Sequence, residues 1–93
     1  MTLREILANL QNFDEDAGLF FNDVDGLSSP AIIFKTQDED LPQEHEGKRL
    51  IMEVWHVREV LDGLQQLIKK QNGSLPSLEQ LFERFLVYLR RDA

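Results

Sequence analysis

The sequence contains no cysteine, and this absence excludes several kinds of chemistry. Without a thiol the chain forms no disulfide, offers no thiolate nucleophile and supplies no cysteine ligand to a metal. The sequence also lacks any apolar run that approaches the roughly 20 residues a membrane-spanning helix needs. The opening MTLREIL has no basic segment followed by an apolar run, the pattern of a secretory signal. We therefore expect a cytoplasmic protein that does not enter membranes.

The sequence motifs of common enzyme sites are missing as well. Neither the serine elbow G-x-S-x-G nor the phosphate-binding patterns G-x-x-x-x-G-K-[ST] and G-x-G-x-x-G occur. The chain has only two histidines, His45 and His56, whereas zinc sites usually draw three or four ligands from spaced positions. We expect no catalytic residue, no cofactor and no metal site, and hence a protein that is not an enzyme.

One short motif invites a calcium interpretation, because Asp23-Val24-Asp25-Gly26 resembles part of an EF-hand loop. The register does not fit. With Gly26 at the sixth position of such a loop, Phe21 falls at the first position and Ile32 at the twelfth, where a carboxylate is required. An aspartate-rich turn between two strands accounts for the motif without a metal.

The chain has an excess of negative charge, and this charge is unevenly distributed. The formal net charge is −7. Residues 1–47 contain eleven acidic and two basic residues (2 − 11 = −9), whereas residues 48–93 contain six acidic and eight basic residues (8 − 6 = +2). Such a field repels nucleic acids and anionic membranes and attracts basic partners. The basic pairs 69–70 and 90–91 close predicted helices, where cations complement the helix dipole, so we expect no nucleic-acid binding.

The periodicity of apolar residues predicts a single α+β domain over residues 1–93, with the element order α-β-β-β-α-α. Capping boxes at 2–5 and 77–80, with Ser or Thr three residues before Glu or Gln, begin the first and last helices. The expected helices span about 2–12, 57–72 and 77–91, and the expected strands span 18–22, 31–35 and 48–55. The loops between strands leave no room for a crossover helix, which predicts a three-stranded antiparallel meander packed with three helices.

Both faces of the predicted sheet are apolar, so both faces need a cover. Alternation places a second set of large apolar residues opposite the first, and the last predicted helix contains FLVYL (85–89), which is apolar all round. One hypothesis is therefore a structural or regulatory homodimer that buries the second sheet face and the last helix. Its expected interface residues are Phe20, Ile33, Ile51 and Trp55.

The stretch KTQDEDLPQEHEG (35–47) is the most acidic part of the chain and is expected to be an exposed loop between the second and third strands. Our first hypothesis is a small acidic interaction domain, of the kind that inhibits a basic protein or confers immunity to a nuclease toxin, with this loop acting alone or with the turn at 14–16. The candidate contacts are Asp23, Asp25, Asp38, Glu39, Asp40, Glu44 and Glu46. A small metal-dependent enzyme that uses the acidic loops is a further alternative.

Three segments resemble a family of small bacterial proteins of unknown function: LP (41–42), EGKRLIMEVWHVREVLDGL (46–64) and NGSLPSLEQLFERFLVYLRRDA (72–93). The matching features are a glycine before a strand, here Gly47, and a Pro-Ser pair before the final helix, here at 76–77. The resemblance covers mainly the C-terminal half, and residues in the 20s and 30s depart from it. It implies a bacterial cytoplasmic protein of no known activity, so it assigns no functional residue.

Overall fold

The structure, a computed structural model, describes residues 1–22, 26–36 and 40–92. Within these residues the chain forms three helices, two short 3-10 turns and four strands. Their order is α1 (Leu3–Ala8), a turn (Leu10–Asn12), β1 (Gly18–Phe21), a turn (Gly26–Ser28), β2 (Ala31–Phe34), β3 (Glu44–His45), β4 (Lys48–Glu53), α2 (Val54–Asn72) and α3 (Leu78–Asp92). The prediction of one α+β domain with an antiparallel sheet and three helices is confirmed.

The sheet has the strand order β2-β1-β4-β3, which differs from the predicted meander. Strand β1 is central and pairs antiparallel with both neighbours, so that Gly18 lies opposite Phe34 of β2 and opposite Glu53 of β4. The strand after β2 therefore does not pair with β2. The chain passes instead from the β2 edge of the sheet to the far edge, where the short strand β3 pairs with β4.

A β-bulge between β1 and β4 corrects the predicted alternation of side chains. Leu19 lies opposite Met52, but Phe20 lies opposite Leu50, so Ile51 is one extra residue in β4. Because opposite residues in a sheet point to the same face, Met52 shares the face of Leu19 and Leu50 shares the face of Phe20. Ile51 and Met52 both pack against the helix-side core, whereas strict alternation places them on opposite faces.

The three helices cover one face of the sheet and build the core there. Every helix and the central strand contribute to this core, which includes Leu3 and Ile6 of α1, Leu19 and Phe21 of β1, Val57 and Leu61 of α2, and Phe82, Phe85 and Leu86 of α3. In the FLVYL stretch of α3 the first two residues are buried and the last three are half-buried. Among the described residues, no helix is both long enough and apolar enough to cross a bilayer.

Two of the four expected dimer residues belong to this helix-side core. Ile33 and Ile51 are half-buried and pack against it, so they do not form a second apolar sheet face. Trp55 lies in the first turn of α2 instead of in a strand, and 43% of its surface is exposed. Its indole Nε1–H donates to a carboxylate oxygen of Glu53 at 2.7 Å.

Helix α2 begins at the residue after β4, earlier than the predicted start near residue 57. The β-branched and aromatic residues Val54 and Trp55 favour a strand, but their backbone amides bond to the turn before β1. The N–H of Val54 donates to the carbonyl of Ala17 at 2.8 Å, and the N–H of Trp55 donates to that of Glu15 at 3.2 Å. First-turn amides have no partner within a helix, so these carbonyls cap α2.

Both predicted capping boxes are confirmed. The Thr2 hydroxyl accepts the N–H of Glu5, and the Ser77 hydroxyl accepts the N–H of Gln80. In return, the backbone N–H of Thr2 donates to the Glu5 carboxylate at 3.1 Å, and this bond lowers the pKa of Glu5. A lowered carboxyl pKa adds stability above the ordinary glutamate pKa, and this stability is lost as pH falls through the lowered value.

The guanidinium of Arg58 fastens α2 to the end of α1. Its Nη2 donates to the carbonyls of Leu10 and Phe13, at 2.7 and 3.2 Å, and its Nη1 lies 3.5 Å from a carboxylate oxygen of Glu15. The planar, forked guanidinium suits such multiple acceptors better than the single ammonium of a lysine does. Arg58 therefore satisfies the carbonyls of the 3-10 turn that joins α1 to β1.

We expect Arg58→Lys to lower the free energy of unfolding by about 1.5 kcal/mol, because a lysine ammonium cannot replace both bonds of the fork. Urea denaturation measures this change. The matched control is Arg91→Lys, since Arg91 is exposed in the last turn of α3, and we expect it to leave stability unchanged. Equal effects of the two substitutions would contradict the role assigned to Arg58.

Candidate functional site: an acidic strap across the sheet

The acidic stretch crosses the face of the sheet that the helices leave open, and we call residues 35–47 the strap. Residues 37–39 lie outside the described part of the chain. The strap starts at Lys35, whose ammonium lies 3.1 Å from a carboxylate oxygen of Asp14. It ends at Gly47, whose carbonyl accepts a bond from the Asn22 side-chain amide at 2.6 Å. Because Asp14 and Asn22 flank opposite ends of β1, the strap spans the length of the sheet.

Two side chains of the strap point inward and anchor it on the sheet. The ring of His45 stacks on Phe34 with centroids 3.7 Å apart and planes 12° apart, and it lies 5.9 Å from the ring of Phe20. Leu41 packs above Gly18 of β1, next to Leu50. The outer apolar face is therefore covered by a segment of the same chain.

This cover overturns the prediction that Phe20 faces a second copy. Phe20 has no exposed surface, because Phe34, His45 and the residues around Gly18 enclose it within a single chain. The second face does need a cover, as the sequence predicts, but a segment of the same chain supplies it instead of a second copy. The sequence predicts this segment as an exposed loop that binds a basic partner, not as a cover.

The close approach of the strap requires glycine at position 18. A Cβ atom on Gly18 would lie 2.8 Å from the Cδ1 atoms of Leu41 and Leu50 and 2.9 Å from Cε1 of Phe20. Carbon atoms in ordinary contact lie about 3.5–4.0 Å apart, so any side chain here pushes against the strap. The glycine thus provides the space in which Leu41 sits.

A tight turn fixes the end of the strap. His45 lies opposite Lys48, and the two residues between them, Glu46 and Gly47, have φ angles of 51° and 78°. Positive φ at both central positions is the signature of a type I′ turn, which matches the twist of a β-hairpin. Asn22 holds this turn against the end of β1, since its side-chain oxygen also accepts the N–H of Arg49 at 3.1 Å.

The carboxylates of the strap point outward while its anchors point inward. Asp40, Glu44 and Glu46 are exposed, and so are the three acids of the turn at 14–16. The candidate contacts Asp23, Asp25, Asp38 and Glu39 lie outside the described residues. The described acids of the strap form an acidic surface on the side of the sheet away from the helices.

Basic groups neutralise part of this surface. Asp14 pairs with Lys35, Glu15 approaches Arg58, and Glu44 lies directly across the β-ladder from Arg49. In the described part of the chain no basic group lies within ion-pair distance of Asp16, Asp40 or Glu46. Among the described acids of the strap and of the turn at 14–16, these three have no basic residue in an ion pair or directly across the β-ladder.

The strap does not assemble a metal site from the described residues. No group of three His, Cys, Asp or Glu side chains among them is close enough to hold an ion. The imidazole ring of His45 stacks on the ring of Phe34, and the neighbouring side chains of Glu44 and Glu46 are exposed. Exposed carboxylates keep their hydration, whereas general acid–base catalysis needs carboxyl groups whose environment shifts their pKa.

A shallow cleft of about 570 Å³ adjoins the strap where β4 meets the C-terminal half of α3. Glu44, Arg49, His56 and Tyr88 are the charged and aromatic residues that line it. Local sequence patterns do not predict this cleft, because it depends on the packing of α3 beside β4. The anchoring role of Leu41 and His45 was also missed, although one apolar and one aromatic residue within an acidic stretch are a usable signal for a covering segment.

We expect His45→Ala to lower the free energy of unfolding by about 1 kcal/mol and to speed proteolytic cleavage in the strap, because it removes an aromatic stack. His45→Phe should keep both near the parent values. Urea denaturation and timed proteolysis measure these effects. Gln43→Ala, at an exposed position of the same strap, is the control and should leave both quantities unchanged. If His45→Phe proved as damaging as His45→Ala, packing would not be the function of this ring.

A second substitution tests the turn. Glu46→Asn should raise the free energy of unfolding by about 0.5 kcal/mol, because Asn-Gly is the preferred pair in type I′ turns. Glu44→Asn removes the same type of charge two residues earlier, in the extended backbone of β3, and should not stabilise the protein. Thermal denaturation of both variants side by side distinguishes a backbone effect from a charge effect.

Comparison with known protein families, with curated proteins and with solved structures finds no match to this chain. The resemblance of residues 46–64 and 72–93 to a family of small bacterial proteins stays a prediction. The function must be inferred from the residues themselves, and the acidic strap is the feature that carries most of that inference.

Proposed function

We propose that the protein is a non-catalytic interaction domain whose strap binds a basic surface of another protein, as inhibitors and immunity proteins do. The observation that carries this proposal is the anchoring of an acidic segment on a rigid sheet. Asp40 and Glu46 are exposed on a segment that Leu41 and His45 fasten to β1 and β2. The lack of cysteine is in keeping with a cytoplasmic location for this activity.

Anchoring favours recognition because it reduces the ordering that binding requires. A free acidic loop loses conformational entropy when it docks, whereas a segment held at both ends and at two internal positions loses less. The clustered charge also accelerates encounter with an oppositely charged partner. A solvated loop needs neither the His45 stack nor the close contact over Gly18.

The expected partner carries a Lys- and Arg-rich concave surface, such as a cleft that binds phosphate groups. Carboxylates offer the same negative charge and the same acceptor oxygens as phosphates, and arginine binds both in a bidentate manner. The three unpaired acids Asp16, Asp40 and Glu46 would make the direct contacts. Glu44 contributes less, because Arg49 lies opposite to it.

The experiment captures partners from a lysate of the source organism on tagged protein and elutes them with increasing salt. We expect one stoichiometric basic protein, which salt releases. The double variant Asp40→Asn/Glu46→Gln should bind this protein about tenfold more weakly, because two of the available charges are gone.

The matched control is Asp62→Asn/Glu83→Gln, which removes the same two kinds of charge from exposed positions on α2 and α3. This control should bind the captured protein as the parent does. If both double variants lose the partner equally, net charge and not the strap is responsible. If neither double variant binds the captured protein more weakly than the parent does, or if the captured protein is acidic, the proposal is refuted.

A further inference from the structure

Helix α2 carries an apolar stripe that the described part of the chain covers only in part. Val60, Gly63, Leu64 and Leu67 follow one another at helical spacing, and we call these four residues the α2 stripe. Val60 and Leu64 are half-buried against the core, whereas Leu67 is 43% exposed. With Tyr88 of α3 the stripe lines an open groove of about 440 Å³.

Gly63 lies in the middle of this stripe, and no contact with the described residues requires a glycine at this position. Glycine is among the poorest helix-forming residues, and Gly63 is well inside the helix Val54–Asn72. A Cβ atom on Gly63 would meet no atom within 4 Å, in contrast to one on Gly18. The missing side chain does leave room for the backbone of a second helix to approach α2 closely.

The charges beside the α2 stripe are arranged in a self-complementary way. Glu59 lies beside the N-terminal end of the stripe and Lys70 lies beside its C-terminal end, and both residues are exposed. A second α2 that ran antiparallel would place Glu59 of each copy opposite Lys70 of the other. A two-fold symmetric interface needs such a surface, because the same patch must bind itself.

We propose that the protein forms a symmetric homodimer in which the α2 stripe packs antiparallel against the α2 stripe of a second copy, with the two Gly63 residues near the two-fold axis. This interface lies on the helices and leaves the strap free. It is distinct from the sheet-face dimer that the sequence suggested, and it does not depend on the partner-binding function of the strap.

Sedimentation equilibrium from micromolar to near-millimolar protein tests the proposal. The average mass of the parent protein should rise from the 10.8 kDa of one chain towards twice that value. Leu67→Gln should weaken self-association about tenfold, as expected for a central apolar contact. The matched control Leu75→Gln changes a more exposed leucine outside the stripe and should leave self-association unchanged.

A charge exchange tests the antiparallel orientation. Glu59→Lys and Lys70→Glu should each weaken the dimer, and the double variant should restore it to within about threefold of the parent, because the opposing charges are paired again. Gly63→Gln keeps a residue that favours helix and should abolish dimerisation by blocking the close approach. Circular dichroism at low concentration should show each variant folded.

Three results would overturn the proposal. The first is a mass of one chain at every concentration. The second is a dimer that Leu67→Gln and Gly63→Gln leave intact, which would place the interface elsewhere. The third is a double charge variant that dimerises no better than either single variant, which would exclude the antiparallel pairing of Glu59 with Lys70.

Discussion

Strand β1 is buried along its whole length and on both of its faces, and the rest of the fold follows from the need to cover it. A strand with two apolar faces needs a layer on each side, and a chain of this size has three helices for one side only. The strap supplies the other layer. It does so with two inward side chains, Leu41 and His45, and the regular structure in its described part is limited to the two residues of β3.

The alternation of side chains along an extended backbone explains why the strap is both a structural element and the best candidate site. In an extended chain neighbouring side chains point in opposite directions, so the residues next to the anchors, Asp40, Glu44 and Glu46, face solvent. Acidic residues at those positions keep the covering layer hydrated and prevent it from pairing with other chains. They also place negative charge on a surface whose shape is set by the sheet beneath it. Solubility and recognition thus have a common origin in this segment.

The sequence predicted the features that short-range chemistry decides. The capping boxes at Thr2 and Ser77, the three helices and the positions of the longer strands are local, and each is confirmed. The strand order, the bulge at Ile51 and the start of α2 at Val54 depend on partners far along the chain, and local periodicity does not report on them. For the same reason the sequence identified the acidic stretch as the candidate site but did not show that His45 packs on Phe34.

The pairing of β1 with β4 has a consequence for the order of events during synthesis. The chain makes β1 and β2 first, and this hairpin exposes Phe20 and Phe34 until Leu41 and His45 have been added and the strap can fold over them. A chain interrupted before residue 41 therefore has a bare apolar sheet face with an open edge, the type of surface that promotes aggregation. The dense negative charge of the strap arrives with the cover, but the edge of β1 stays open until β4 pairs with it, so the vulnerable interval closes about twenty residues after β2.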